Sequence, residues 1–190
     1  GKKAETPHAA PLLELATVLL GCNNAHLVKE EGKWKTVGDP TEGALLAAGL
    51  KAGGDRERIE KELPKHHEIP FDSDRKLSAA IRRMLDGKLR AFINGAPDVL
   101  LEHCINLYTS TGVRLMTDED RRNIVAQNTA MAQQALRVLG SAYRVLDNAS
   151  PADLTAENVE HDLVFVGLSG MYDPPRQEAK DAVAKCRAAG

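Results

Sequence analysis

The chain has 190 residues, 43% of them apolar and 27% charged, with 25 basic against 27 acidic side chains and a formal net charge of −2. That balance describes a globular protein with enough chain to bury a core, as one domain or one domain plus part of another, and it carries no field that would favour DNA, RNA or an acidic membrane surface. Three cysteines, Cys22, Cys104 and Cys186, are odd in number and far apart, which fits free thiols in a reducing compartment and not a disulfide framework or a zinc site.

In chain order, Leu12, Leu15, Ala16 and Leu19 recur at helical spacing over residues 9–21, with Gly21 as a stop. Residues 26–36 alternate weakly around Leu27, Val28 and Trp34, and KEEGK between them predicts a hairpin turn. In VGDPTEGALLAAGLKAGG, Asp39 or its neighbour can cap a helix, Pro40 fits its first turn, and Gly53-Gly54 end it. Arg56–Lys61 reads as a charged linker or a short solvated helix. Leu77, Ala79 and Ile81 alternate, as do Leu89, Ala91 and Ile93; Asp86-Gly87 between them is a strong hairpin signal. The second of these strands ends at Asn94-Gly95, and Pro97 opens a helix with Val99, Leu100 and Cys104 on one face. Gly95 permits the turn and is expected to leave amides exposed near that helix start.

Thr117-Asp-Glu-Asp resembles a capping box opening a helix that runs through Ile124, Ala130 and Ala135 towards Leu136. A strand over Val138–Val145 follows, then a loop with a short turn, then an apolar strand over Leu163–Leu168. MYDPPR breaks that strand, and a helix is predicted from about Gln177. The expected fold class is α/β (α+β), with a mainly antiparallel sheet flanked by helices. The longest apolar run is far too short to span a bilayer and no signal peptide precedes it, so a soluble, cytosolic piece is expected. Gly1 and Gly190 do not resemble natural ends, since the last segment stops inside an amphipathic helix; an excised fragment is expected.

Several places could carry chemistry. Phe71 in PFDSDRK is one of only three phenylalanines, and it sits among Asp72, Asp74, Arg75 and Lys76. An aromatic face beside cations can hold a purine and steer a phosphate, although a core residue at a strand start reads the same way. Thr41 and Glu42 in GDPTEGAL could bond an amino group or a ribose, or simply serve a helix cap. Arg137 is a cation where a helix passes into a strand; read alone it is a solvated charge or a partner for the helix C-terminal dipole. His66-His67 lack a third metal ligand at useful spacing. Neither G-x-x-x-x-G-K-[ST] nor G-x-G-x-x-G is present.

Taken as an ordered set, GDPTEGALL, PFDSDRKLSAAI, FINGAPDVLLEHC, LRVLGSAYR and LVFVGLSGMYDPPRQEAKDAVAKCRAAG resemble the nucleotide-binding domain of a P-type cation-transporting ATPase, closest to the type II group that includes calcium pumps and their bacterial relatives. The resemblance covers nearly the whole chain. It implies a nucleotide-binding domain over residues 1–172, with residues 173–190 as the return hinge and the start of a phosphorylation domain. It also implies a cytoplasmic position in an integral membrane protein of a bacterial inner membrane, without direct membrane contact by this segment. ATP would be the ligand, with Mg²⁺ in the longer pump, and the phosphorylation and actuator domains of the same chain the partners. The phosphorylated aspartate is outside these residues, so binding without hydrolysis is expected.

By the same resemblance Phe71 stacks on adenine, Glu42 accepts from its amino group with Thr41 beside it, and Lys76 lies near the nucleotide. Gly95 and Ala96 form the pocket floor, Arg137 reaches the phosphates, and Leu139 is an apolar wall. The family's usual Lys-Gly-Ala is here Asn94-Gly95-Ala96, and Ser73 stands where some calcium pumps have arginine. Loss of a partly exposed charge contact costs on the order of 1 kcal/mol, so weakened ATP affinity is expected. The alternative is a regulatory or interaction module that keeps the scaffold with nucleotide binding weakened or lost.

Overall fold

The computed structural model describes residues 9–30, 32–147, 150–172, 182–183 and 185–187. The predicted return hinge from residue 173, and the helix start near Gln177, lie outside the described residues. In order, α1 spans Ala9–Gly21, β1 His26–Glu30, β2 Lys33–Val37, α2 Pro40–Lys51, α3 Arg56–Glu62, β3 Lys65–Asp72, β4 Leu77–Arg83 and β5 Leu89–Gly95. Then come α4 Pro97–Glu102, β6 Cys104–Thr109, β7 Gly112–Leu115, α5 Asp118–Gln133, β8 Arg137–Leu146, a single 3₁₀ turn, α6 Ala156–Val159 and β9 Leu163–Met171.

Seven strands form one sheet in the order β3-β4-β5-β8-β9-β6-β7, while β1 and β2 form a separate hairpin. Every pairing is antiparallel except β6 with β9. The fold is therefore α/β with an antiparallel-dominated sheet, as the sequence pattern predicted. Strand alternation sorts the side chains onto two faces. Leu77, Ala79, Ile81, Leu89, Ala91 and Ile93 face one core together with Leu100, Leu163 and Phe165. Ala80, Phe92, Tyr143 and Val166 face the other, against Val18 and Cys22 of α1 and the residue after it.

Four local expectations change. Arg56–Glu62 is a helix but not a solvated one: Ile59 is buried, and the Arg56 guanidinium donates to the Leu20 carbonyl and to the Asn23 carbonyl at 2.9 Å. Helix α4 stops at Glu102, so Cys104 opens β6 and not a helix face. The Thr117 box forms with Asp120, but α5 ends at Gln133, short of Leu136. The Ala96 amide is not exposed for a ligand, because it donates to the Lys76 carbonyl at 3.1 Å.

Candidate functional site

Four carbonyls at the end of α1 are held by side chains from distant segments. Leu20 and Asn23 accept from Arg56, Gly21 accepts from Arg82 at 2.7 Å, and Cys22 accepts from the Asn94 amide at 3.2 Å. Arg82 has no exposed surface; it also donates to the Leu63 carbonyl and forks onto both oxygens of Glu60 at 2.8 and 3.1 Å. That fork holds the Glu60 carboxyl below its usual range, with Arg56 adding a smaller attraction. The segment after α1 is thereby fixed, and the Asn24 amide donates to Glu42 Oε2 at 3.0 Å.

Glu42 lies in the first turn of α2. Asp39 caps that turn, its Oδ1 accepting from the amides of Thr41 at 2.8 Å and Glu42 at 3.1 Å. Such a cap satisfies helix amides that have no partner within the helix. Gly43 follows because α2 rests on β2 there; a Cβ would strike Thr36.

Across the sheet, Ser78, Asn94 and Ser141 occupy successive strands in register, Ser78 opposite Asn94 and Asn94 opposite Ser141. They form a polar rung on the face that carries Phe92 and Tyr143. Asn94 is 4% exposed, and both ends of its amide are engaged: the nitrogen donates to Cys22 and the oxygen accepts from the Ser141 hydroxyl at 2.7 Å. Along β8, Arg137, Leu139 and Ser141 share this face by the two-residue period of a strand. Gly95 closes the row. A Cβ on it would meet the Lys76 carbonyl and lie 2.5 Å from Leu77 Cδ2, so the close approach of the two turns requires glycine.

The rung, the start of α2 and the end of α1 enclose a cavity of about 370 Å³. Cys22, Asp39, Thr41, Glu42, Leu45, Phe71, Ser78, Asn94, Gly95, Arg137 and Leu139 line it. Seven of the nine residues singled out from the sequence meet here; Lys76 and Ala96 do not line it. Lys76 is exposed at the end of the β3–β4 turn in a left-handed conformation, φ 55°. Phe71 is 64% exposed at the end of β3, which rules out the reading of it as a core side chain. Ser73 is exposed in the same turn. His66 and His67 lie exposed on β3, and the described residues hold no group of three or more His, Cys, Asp or Glu able to take a metal ion.

A family model described as P-type ATPase, cytoplasmic domain N, matches residues 11–178. The chain belongs to that family. Among curated relatives, this N domain is 37% identical over 180 residues to a calcium-transporting ATPase of Bacillus subtilis, covering 95% of the chain and 20% of that protein. It is 39% identical over 177 residues to calcium-transporting ATPase 1 of Lactococcus lactis, covering 93% of the chain and 19% of that protein. It is 39% identical over 183 residues to the cation-transporting ATPase pma1 of Synechocystis, with coverage of 95% and 19%. The N domain thus spans about a fifth of the length of the curated relatives it matches. No helix among its described residues is long and apolar enough to cross a membrane.

Sequence reasoning did not find Cys22, Leu45 or Ser78 in the N-domain cavity, and it saw Asp39 only as a cap. No local pattern marks Cys22 or Ser78, which arrive through the docking of α1 on the sheet and through strand register; Leu45 arrives as the residue one helical turn beyond Thr41 in α2. Burial pushes the Cys22 thiol up to about 11, so it lines the cavity as a neutral group.

Proposed function

We propose that the N domain binds ATP by its adenine end in this cavity and positions the γ-phosphate for transfer to an aspartate of an adjoining phosphorylation domain. One observation carries the reading: residues from α2, β3, β5 and β8 that the sequence order links to a nucleotide pocket line a single concave site of suitable size. Phe71 offers an exposed ring for stacking, Glu42 a carboxylate already oriented by Asn24, and Leu45 and Leu139 apolar walls. Thr41 and Asn94 supply polar edges, Gly95 leaves the floor low, and Arg137 supplies the cation at the phosphate end. Lys76 would act only from outside the cavity, and Ala96 through the turn that holds Gly95. Stacking on one aromatic contributes about 1–3 kcal/mol, the scale on which such a site operates.

In this proposal residues 1–172 are the nucleotide-binding unit and residues 173–190 the return to the phosphorylation domain, with the actuator domain as a further partner in the longer pump. Mg²⁺ would arrive with the phosphates, since no cluster among the described residues fits it. ATP hydrolysis then belongs to the whole pump, and the chain alone binds without turning over. Calcium is the cation proposed, because relatives named calcium-transporting ATPases are among the most similar. The second reading, a regulatory module, draws on Asn94, whose amide is held by Cys22 and Ser141.

An ATP titration of the chain followed by amide chemical shifts decides between them. Shifts at Glu42, Phe71, Gly95 and Arg137 that saturate below about 10 mM ATP, a binding free energy stronger than about −3 kcal/mol, support the ATP pocket. No shifts there, or steady hydrolysis by the chain alone, would overturn it.

A further inference from the structure

We propose that Asn24, clamped by Lys65 and Glu68, is a positioning residue that aims the Glu42 carboxylate, and that this clamp sets a preference for a purine with an amino group, as in ATP, over one with an oxo group, as in ITP. The inference rests on the ATP-pocket reading and names what makes that site selective. Behind Glu42 lies a second chamber of about 200 Å³. Asn24, Lys65 and Glu68 line it, and it shares Glu42, Phe71 and Ser78 with the larger cavity. Lys65 donates to Asn24 Oδ1 and to Glu68 Oε2 at 3.0 Å, and the Asn24 side-chain nitrogen donates to Glu68 Oε1 at 2.6 Å. The three side chains close a ring in which each bonds the other two. Burial opposes ionisation of Glu68, but the bonds from Lys65 and Asn24 outweigh it and hold the carboxyl below its usual range. Lys65 is thus committed to these partners and is not a free cation for a phosphate.

The ring acts on Glu42 through the backbone. Asn24 lies between α1 and β1, outside any helix or strand. Arg56 and Arg82 hold the chain as far as the Asn23 carbonyl, and beyond it the ring takes over. The Asn24 amide donates to Glu42 Oε2, and the neighbouring Asn23, 2% exposed, donates to the Glu42 carbonyl at 2.7 Å. One asparagine holds the backbone of Glu42 and the next holds its carboxylate. With Oε2 tied, the carboxylate plane is set and Oε1 accepts along a fixed direction. An adenine amino group donates to such an oxygen; the oxo group of hypoxanthine only accepts, and is repelled. Lys65 and Glu68 stand on β3, the strand that carries Phe71, so the same ring links the stacking residue to the carboxylate.

The test titrates the chain with ATP and ITP, and with AMP and IMP, following amide chemical shifts. The native chain is expected to prefer ATP over ITP about tenfold, the worth of one hydrogen bond to a charged group. Asn24→Ala keeps the amide that reaches Glu42 but removes its anchor. It should cut the preference to about two- to threefold by weakening ATP, with ITP changed less than about twofold, and AMP against IMP should follow the same pattern. Lys65→Met, at a partly exposed side chain, should do the same, which keeps the test open if Asn24→Ala does not fold. Lys65→Arg should restore the preference, because a guanidinium can serve both Asn24 and Glu68. Equal weakening of ATP and ITP by Lys65→Met, with AMP and IMP unchanged, would make Lys65 a phosphate contact and overturn the inference. An unaltered preference in Asn24→Ala, or none in the native chain, overturns it too and leaves the ATP pocket standing. If neither ATP nor ITP binds the native chain, the pocket reading itself fails.

Discussion

Replacing Arg82 by methionine isolates the contribution of the buried guanidinium. Methionine keeps most of the volume and the apolar stem, so no large cavity opens. Lost are the bonds to the Gly21 and Leu63 carbonyls and the fork on Glu60. A buried acceptor without a donor costs about 1–3 kcal/mol. Gly21 is buried and bears that cost in full, whereas Leu63 is half-buried and water reaches it more readily. The Glu60 side chain is 44% exposed and retains Arg56 at 2.9 Å, so its release adds little. Removing the desolvation cost of Arg82 offsets part of the loss. The net expectation is a destabilisation of about 2–4 kcal/mol, a fall in Tm of roughly 5–15 °C for a chain of this size. Thermal and urea unfolding followed by circular dichroism measure it. Arg82→Lys should lose nearly as much, since an ammonium cannot reproduce the planar fork. A loss under about 1 kcal/mol for the methionine variant, or full rescue by lysine, would refute the claim that this guanidinium organises the end of α1.

Phe71→Ala separates function from folding: stability should stay within about 0.5 kcal/mol because the ring is exposed, while adenosine and ATP binding weaken by about 1–3 kcal/mol in titration. Gly95→Ala should destabilise the fold by about 1–3 kcal/mol, read by urea unfolding, because its Cβ has no room beside Lys76 and Leu77. Cys22 and Cys104 are buried and their thiols raised to about 11 and about 12, so an aromatic disulfide reagent at pH 8 should label exposed Cys186 rapidly and the other two only on unfolding. The Arg114 fork and the Thr117 cap hold the Asp120 carboxyl well below the usual range. A carboxyl depressed in the folded state stabilises above its unfolded value and loses that contribution as pH falls towards its folded one. Acid unfolding of the native chain should therefore be steeper below about pH 4 than that of Asp120→Asn.

The legible parts of this fold were those written in short range. The Asp86-Gly87 hairpin, the Thr117 cap and the Asp39-Pro40 helix start each have local residues that decide the backbone. Strand β3 was not legible because only Ile69 of its eight residues is buried, so an edge strand shows no alternation. Helix α4 has six residues, fewer than two turns, and Cys104 is fully buried whether it ends a helix or opens a strand. The cavity was legible through its ordered segments. Its back wall was not, because Ser78 and Ser141 meet Asn94 by register across three strands. The difference at Asn94 was visible in sequence; that its amide ties the sheet to α1 was not.

The position of β9 has a consequence for the order of assembly. Among the described residues, the β6–β7 hairpin joins the rest of the sheet through the parallel pairing of β6 with β9, whose paired residues come more than fifty positions after those of β6. Until that strand arrives, β8 has one uncovered edge and β6 another, and the register connecting them does not exist. During synthesis both edges stay open while the intervening segment is made, a long loop to close before its contacts are gained. The last strand thus acts as a latch on the whole sheet, and the Arg137–Met171 pair sets its final tooth at the cavity wall.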